Sequence, residues 1–302
     1  MRKLSLIIIP AALLYACNGK KNNSAQVSMQ ADSTISAAAI MPAEKFTDLY
    51  GNWVGDNEVT DADFEKFKGQ TVSKLNIVIK QITDSGVVAQ SVTNGNNRLM
   101  HGSVTQSGNK YVFVMDEPGD DKYDGRFEFS IEGDTLSGNW KPYDTKLATK
   151  KSEYRLTKKP FAYNANLMLP SEWDYIDYAN YKEKKETYKD EQTGVVDTFV
   201  NQFYRSASDK VYSINSSKQK LVEKDLKNLR KLDLQILRNT IFARHGYTFK
   251  SRAIRQFFDQ VEWYIPVSDN IEAALTQLEK DNIALLSRFE KYAEDNYDTF
   301  GR

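Results

Sequence analysis

The chain is poor in the residues that metal and redox chemistry usually needs. Its single cysteine, Cys17, excludes an intramolecular disulfide framework and any multi-cysteine metal site. Only two histidines, His101 and His245, are present, too few for a histidine-rich metal centre. Net charge is missing as well: 41 Lys and Arg balance 41 Asp and Glu, which is not the composition of a polybasic nucleic-acid binder. The N-terminal apolar run, Leu4 to Tyr15, stops at twelve residues, short of the ~20 that a spanning helix needs. None of G-x-S-x-G, G-x-x-x-x-G-K-[ST] and H-E-x-x-H occurs. What remains is a globular composition, 40% apolar and 27% charged over 302 residues, enough for one large domain or two ordinary ones.

The first residues read as an export signal. Met1-Arg2-Lys3 is a basic start, the twelve apolar residues follow, and the only cysteine comes directly after them. Leu14-Tyr15-Ala16-Cys17 resembles a bacterial lipobox, with Tyr15 standing where a small residue is usual. The resemblance implies that residues 1–16 are a lipoprotein signal peptide and that Cys17 becomes a lipidated, palmitate-bearing first residue. More than one acyl chain makes a stable anchor. Loss of Arg2 and Lys3 then turns the neutral balance to −2. Residues 17–45 read as a tether rich in Asn, Ser, Ala and Gln, with a reach of roughly 30 Å. Lys20 and Lys21 lie close enough to the anchor to meet anionic headgroups. No acidic run resembling a surface-export tag follows Cys17, which favours the periplasmic side of a cell-envelope membrane.

Residues 46–160 read as antiparallel sheet. Turn signals recur at short intervals, among them Asp84-Ser85-Gly86, Asn94-Gly95, Ser107-Gly108-Asn109 and Glu132-Gly133-Asp134, and the runs between them alternate. About eight strands are predicted, near 52–57, 71–82, 86–93, 98–106, 110–116, 125–131, 134–140 and 151–157, enough to close a small barrel. The opening Gly51-Asn52-Trp53 resembles the G-x-W start of lipocalin-like barrels, and Gly-Asn-Trp recurs at Gly138-Asn139-Trp140. The plain expectation is a Trp that plugs one end of the sheet; the resemblance adds a barrel that holds a ligand. Two acidic clusters, Asp56 to Glu65 and Asp116 to Asp124, read as solvated loop charge. A calcium loop started at Asp120 fails, because Lys122 and Ile131 occupy its third and twelfth positions.

Residues 161–211 form an aromatic-rich connecting segment in which the period of Val196, Phe199, Val200 and Phe203 favours helix and their composition favours strand. Burial against a neighbouring domain is expected for these aromatics, with stacking on a glycan as the alternative.

Residues 212–302 read as a small, mostly helical domain, which makes the whole an α+β chain of two domains. Asp233 is expected to cap a helix whose stripe is Leu234, Leu237 and Ile241 and whose end is Gly246. Ser251 caps a short helix with Ile254, Phe257 and Phe258, and Thr276-Gln277-Leu278-Glu279 is a capping box opening a long one. Phe242-Ala243-Arg244-His245-Gly246, followed by Trp263-Tyr264, resembles the signature of the YARHG domain, an extracellular bacterial module, with Phe242 in place of its Tyr. The resemblance implies a domain and no reaction. His245 is expected to pack, with Trp263 and Phe289 as neighbours, and to bond a carbonyl or carboxylate, with Arg244 in an ion pair. A structural role is therefore expected for the motif. No catalytic residue, metal ligand or cofactor is assigned, and His101 pairs with no recognisable chemistry.

These readings converge on a membrane-anchored envelope lipoprotein acting as a binding module for an unidentified envelope protein or glycan, and not for nucleic acid. The alternatives are a carrier of a small apolar ligand in the β-domain, which needs a cavity of at least ~300 Å³, and a hydrolase of envelope polymers with His245 as base, which needs that ring exposed in a cleft.

Overall fold

A computed structural model describes residues 43–293. Cys17, the signal-like segment and most of the tether lie outside the described residues. After a single 3-10 turn at Thr47–Leu49, eight strands follow in order: β1 Gly51–Ala62, β2 Val72–Thr83, β3 Gly86–Thr93, β4 Asn96–Ser107, β5 Lys110–Asp116, β6 Gly125–Glu132, β7 Thr135–Pro142 and β8 Thr149–Lys158. Each pairs antiparallel with the next, and β8 returns to β1 from Trp53↔Lys158 to Ala62↔Thr149, so the sheet closes into an up-and-down barrel with no free edge. Alternation in the sequence becomes alternation of burial, as in Phe127, Phe129 and Ile131 pointing in while Arg126, Glu128 and Glu132 point out.

The barrel interior changes character along its axis. At one end, Trp53, Ile82, Val87, Ile131, Leu136 and Leu156 close it with apolar side chains. Trp53 is the plug the sequence suggests, and its indole N–H donates to the Leu49 carbonyl at 2.9 Å. At the other end the inward positions are Asn57, Ser73, Ser91 and Ser152, all buried and all polar.

The connecting segment resolves as strand. β9 (Ile176–Lys189) and β10 (Val196–Ser206) form an isolated two-stranded hairpin. Its base is held by the buried Asp177, which accepts from Asn180, Arg205 and Gln256. Tyr175 is buried against the helices, but Tyr178, Tyr181, Tyr188, Phe199, Phe203 and Tyr204 are exposed, so the expected burial fails for the hairpin aromatics. A two-stranded ribbon has no second layer to cover either face, and that is the physical reason.

The helical region comprises α1 Lys210–Ser213, α2 Glu223–Leu226, α3 Lys231–Arg244, α4 Arg252–Phe258 and α5 Gln277–Glu290. Leu234, Leu237 and Ile241 are fully buried in its core. Helix α3 begins earlier than expected, with Arg230 at its N-cap. Asp233 is instead its third residue: it reaches back to the Arg230 amide at 2.9 Å and also accepts from the amide and hydroxyl of Ser208. Thr276 caps α5 as predicted. That helix ends at Glu290, and Tyr292 just beyond it is exposed. No helix among the described residues is long and apolar enough to cross a membrane.

Barrel and helices share one seam. On the outer face of β2, Lys74 donates to the Val261 carbonyl at 3.2 Å and Asn76 to the Pro266 carbonyl at 2.9 Å. The Asn94-Gly95 turn, with both residues at positive φ, presses on the helical side so closely that a Cβ on Gly95 would come within 2.5 Å of the Lys250 Cα.

Candidate functional site

Two polar clusters stand out, and they differ in kind. The first surrounds the five-residue signature. Helix α3 ends at Arg244, and Gly246 takes φ +71°. The Gly246 amide donates to the Ala243 carbonyl and the Tyr247 amide to the Phe242 carbonyl, the two bonds of a Schellman cap. The Phe242 and Tyr247 rings meet at 5.9 Å and supply its apolar contact.

This turn drives His245 inward. Its Nε2 lies 2.9 Å from Glu279 Oε2, and its ring stacks at 4.2 Å on Tyr163, whose hydroxyl donates to Glu279 Oε1 at 3.0 Å. Tyr163, not Trp263 or Phe289, is the ring stacked on His245. Trp263 donates to the Met168 carbonyl, and Tyr264 to the Tyr247 carbonyl.

Glu279 also accepts from the Thr276 amide and hydroxyl, each at 3.0 Å, so the capping box and the signature share one carboxylate. Burial alone would raise the Glu279 pKa. The His245 ring and the Thr276 amide outweigh it and hold the carboxyl down at about 2.

Arg244 corrects an expectation, because among the described residues it makes no ion pair. Its guanidinium donates to the Leu167 carbonyl at 2.8 Å and to Ser217 Oγ at 2.9 Å, and burial pulls its pKa down to about 10. His245, Arg244 and Glu279 are buried and bond inward, His245 being 6% exposed, while Tyr163 and Thr276 lie at the surface. The arrangement locks three segments together.

The second cluster lies at the polar end of the barrel, around a cavity of about 410 Å³. Glu117, just past β5, is buried: Oε1 accepts from Ser91 Oγ at 2.7 Å, and Oε2 from the Gly125 amide at 2.8 Å and the Trp140 indole at 3.4 Å. All three donors are neutral. Burial raises the Glu117 pKa against these bonds, and nearby Asp124 pushes in the same direction. Asp124 Oδ2 accepts three successive loop amides, of Gly119, Asp120 and Asp121, and the Asp124 carboxylate receives Arg98 in a bidentate pair. Asp124 and Glu117 are therefore not the solvated loop charge expected of this acidic cluster. Asp56, Glu58 and Asp61 are exposed, as expected, but they stand on β1 and not in a loop.

Two further lining residues, Asn57 and Gln70, each carry a buried amide oxygen with no partner. Phe127 and Trp140 supply aromatic wall. Sequence reasoning missed this site because its inward residues are polar and so do not read as a core face. The pairing of a Trp from the repeated Gly-Asn-Trp with an acidic loop was the available signal.

His101 sits exposed on β4, opposite Asp116 in register. Among the described residues no group of three or more His, Cys, Asp or Glu could hold a metal ion.

Residues 209–291 match the family model of the YARHG domain. No curated protein and no solved structure matches the chain.

Proposed function

We propose that the chain is a non-catalytic binding protein of the cell envelope, anchored through a lipidated Cys17 on the periplasmic side, that takes a small ligand in the mouth of its barrel. The observation that carries this reading is the 410 Å³ cavity with a buried carboxylate and unpartnered amide oxygens in its wall. Buried polar groups normally find partners, and each one left unpaired costs about 1–3 kcal/mol, which a ligand donor recovers. The lining favours a polar ligand over the apolar one of the carrier alternative, because Asn57, Ser73, Ser91 and Ser152 face it. The hydrolase alternative has no support in the surroundings of His245, which is buried beneath Tyr163 and bonded to Glu279. The YARHG region, packed on the outside of β2, serves as the rigid platform of the barrel.

Two measurements test the reading. Native mass spectrometry of the full chain purified from envelope extract should detect a bound small molecule that is lost in a cavity-filling Ser91→Phe variant; equal loading of both proteins sinks the ligand-binding part. Cys17→Ser should release the protein from the membrane fraction or block its processing, and unchanged detergent partitioning sinks the anchor.

A further inference from the structure

Which small ligand the mouth takes follows from an imbalance of charge. Resting on the binding reading above, we propose that the cavity selects a compact ligand carrying a protonated amine, with Glu117 as its counter-ion. Three carboxylates, Glu117, Asp121 and Asp124, and two guanidiniums, Arg98 and Arg255, face the cavity. Arg98 is committed to Asp124 and Asp120. Arg255 points its Nε towards Asp259, 3.9 Å away. Among the described residues Glu117 has no cationic partner, although it is 7% exposed. A buried carboxylate held only by neutral donors is the group whose environment improves most when a cation arrives.

Trp140 positions this acceptor: its indole N–H donates to Glu117 Oε2 at 3.4 Å and holds the carboxylate in the cavity wall without neutralising its charge. A second acceptor faces Glu117 across the barrel. β1 is four strands from β5 in the closed order of eight, so the unpartnered Oδ1 of Asn57 opposes Glu117 and asks for a donor at the far end of the ligand. An amine with further hydroxyl donors, of hexosamine size, meets both acceptors.

The test is isothermal titration of the full chain at neutral pH with D-glucosamine, D-glucose and D-glucuronate, which share a shape and differ in charge. Glucosamine should bind about tenfold or more tighter than glucose, and glucuronate weakest. Glu117→Gln should bring glucosamine to within about threefold of glucose. The wild-type preference should also fade on acidification as Glu117 takes up a proton, with no such pH dependence in Glu117→Gln. That second readout stands without the variant. Glucose binding as tightly as glucosamine, or an acid-insensitive preference, overturns the inference. So does failure of glucosamine to saturate the protein. In each of those cases a neutral or anionic molecule found by mass spectrometry and lost in Ser91→Phe leaves the binding reading standing, whereas an empty native protein removes both.

Discussion

The barrel mouth and the His245 turn each bury a glutamate, and the two carboxylates are pushed in opposite directions. Glu279 receives a histidine ring, a tyrosine hydroxyl and both donors of its own cap, and its pKa falls to about 2. Glu117 receives three neutral donors, faces a second carboxylate, and its pKa rises. Burial is similar. What differs is whether the protein has already supplied everything the charge requires. A polar group that is saturated from within is part of the scaffold; one that is left short beside open volume is prepared for something from outside. That distinction separates the structural cluster from the candidate site in this chain, and it can be broken by substitution.

The largest effect is expected at Glu279. Glu279→Ala strands the His245 ring, the Tyr163 hydroxyl and the Thr276 amide in one step, and each buried donor left without its acceptor costs about 1–3 kcal/mol. Urea denaturation at pH 7 measures it. The pH dependence fixes the cause. The folded-state carboxyl lies below its ordinary value, so its contribution is fully present above about pH 4.5 and disappears as pH falls towards about 2. The gap between wild type and variant should close over that window. A gap that persists at pH 2 would assign the loss to packing instead.

Gly246→Val comes next. A side chain there pays about 1–2 kcal/mol for the left-handed backbone, and its Cβ would stand 2.5 Å from Val267 Cγ2 and 2.9 Å from the Ile265 carbonyl. The thermal midpoint should drop by several degrees. His245→Ala should cost about 2 kcal/mol through the lost bond and stacked ring. A His245→Ala protein as stable as wild type would reverse the assignment and make that turn the functional one.

How much of this was legible without coordinates depends on what each residue faces. The barrel strands were readable because their inward side chains are apolar for most of their length and glycines mark their turns. The hairpin was not, because with both faces in solvent nothing forces Val196, Phe199 and Phe203 into an alternating pattern. Glu279 was legible as a cap, since a capping box is local in sequence. Its bond to His245, 34 residues away, was not. Asp233 misled for a related reason: an aspartate suits both the cap position and the third position of a helix, and its bond back to the Arg230 amide is what places it at the third. The mouth was invisible because Asn57, Ser73 and Ser91 break the apolar alternation at the level where the cavity begins.

Asp259 sharpens the comparison, being buried and only partly satisfied beside a second cavity that Lys74 also lines. It lies at the seam between barrel and helices, with one oxygen unpartnered, and burial raises its pKa to about 7 against the pull of Arg255 and Lys74. A raised acid favours the folded state most below its unfolded pKa and loses that advantage as pH climbs through the folded one. Between about pH 4 and 7 the wild type should therefore lose stability relative to Asp259→Asn, a slope readable from denaturation midpoints across that range. Parallel curves for the two proteins would show that the seam solvates this carboxylate.

The smallest effect on stability is expected at Glu117, and there the comparison is most exposed. Glutamine keeps the shape of the side chain. Its amide oxygen can accept from the Gly125 amide and the Trp140 indole, and its amide nitrogen can donate to Ser91 Oγ if that hydroxyl turns to accept. No buried group is then stranded, so the change should stay within about 1 kcal/mol. The sign follows from the direction of the shift. Because the folded-state carboxyl lies above its ordinary value, the ionised form is a burden at neutral pH that the glutamine does not carry. The variant should match the wild type in acid and become the more stable of the two as pH rises past the ordinary carboxylate range. A scaffold residue behaves in the opposite way, as Glu279 should. A loss of several kcal/mol in Glu117→Gln at pH 7 would therefore place the mouth in the same class as the His245 turn, a polar cluster that the fold needs for itself, and would leave the cavity without a charge held in reserve for a ligand.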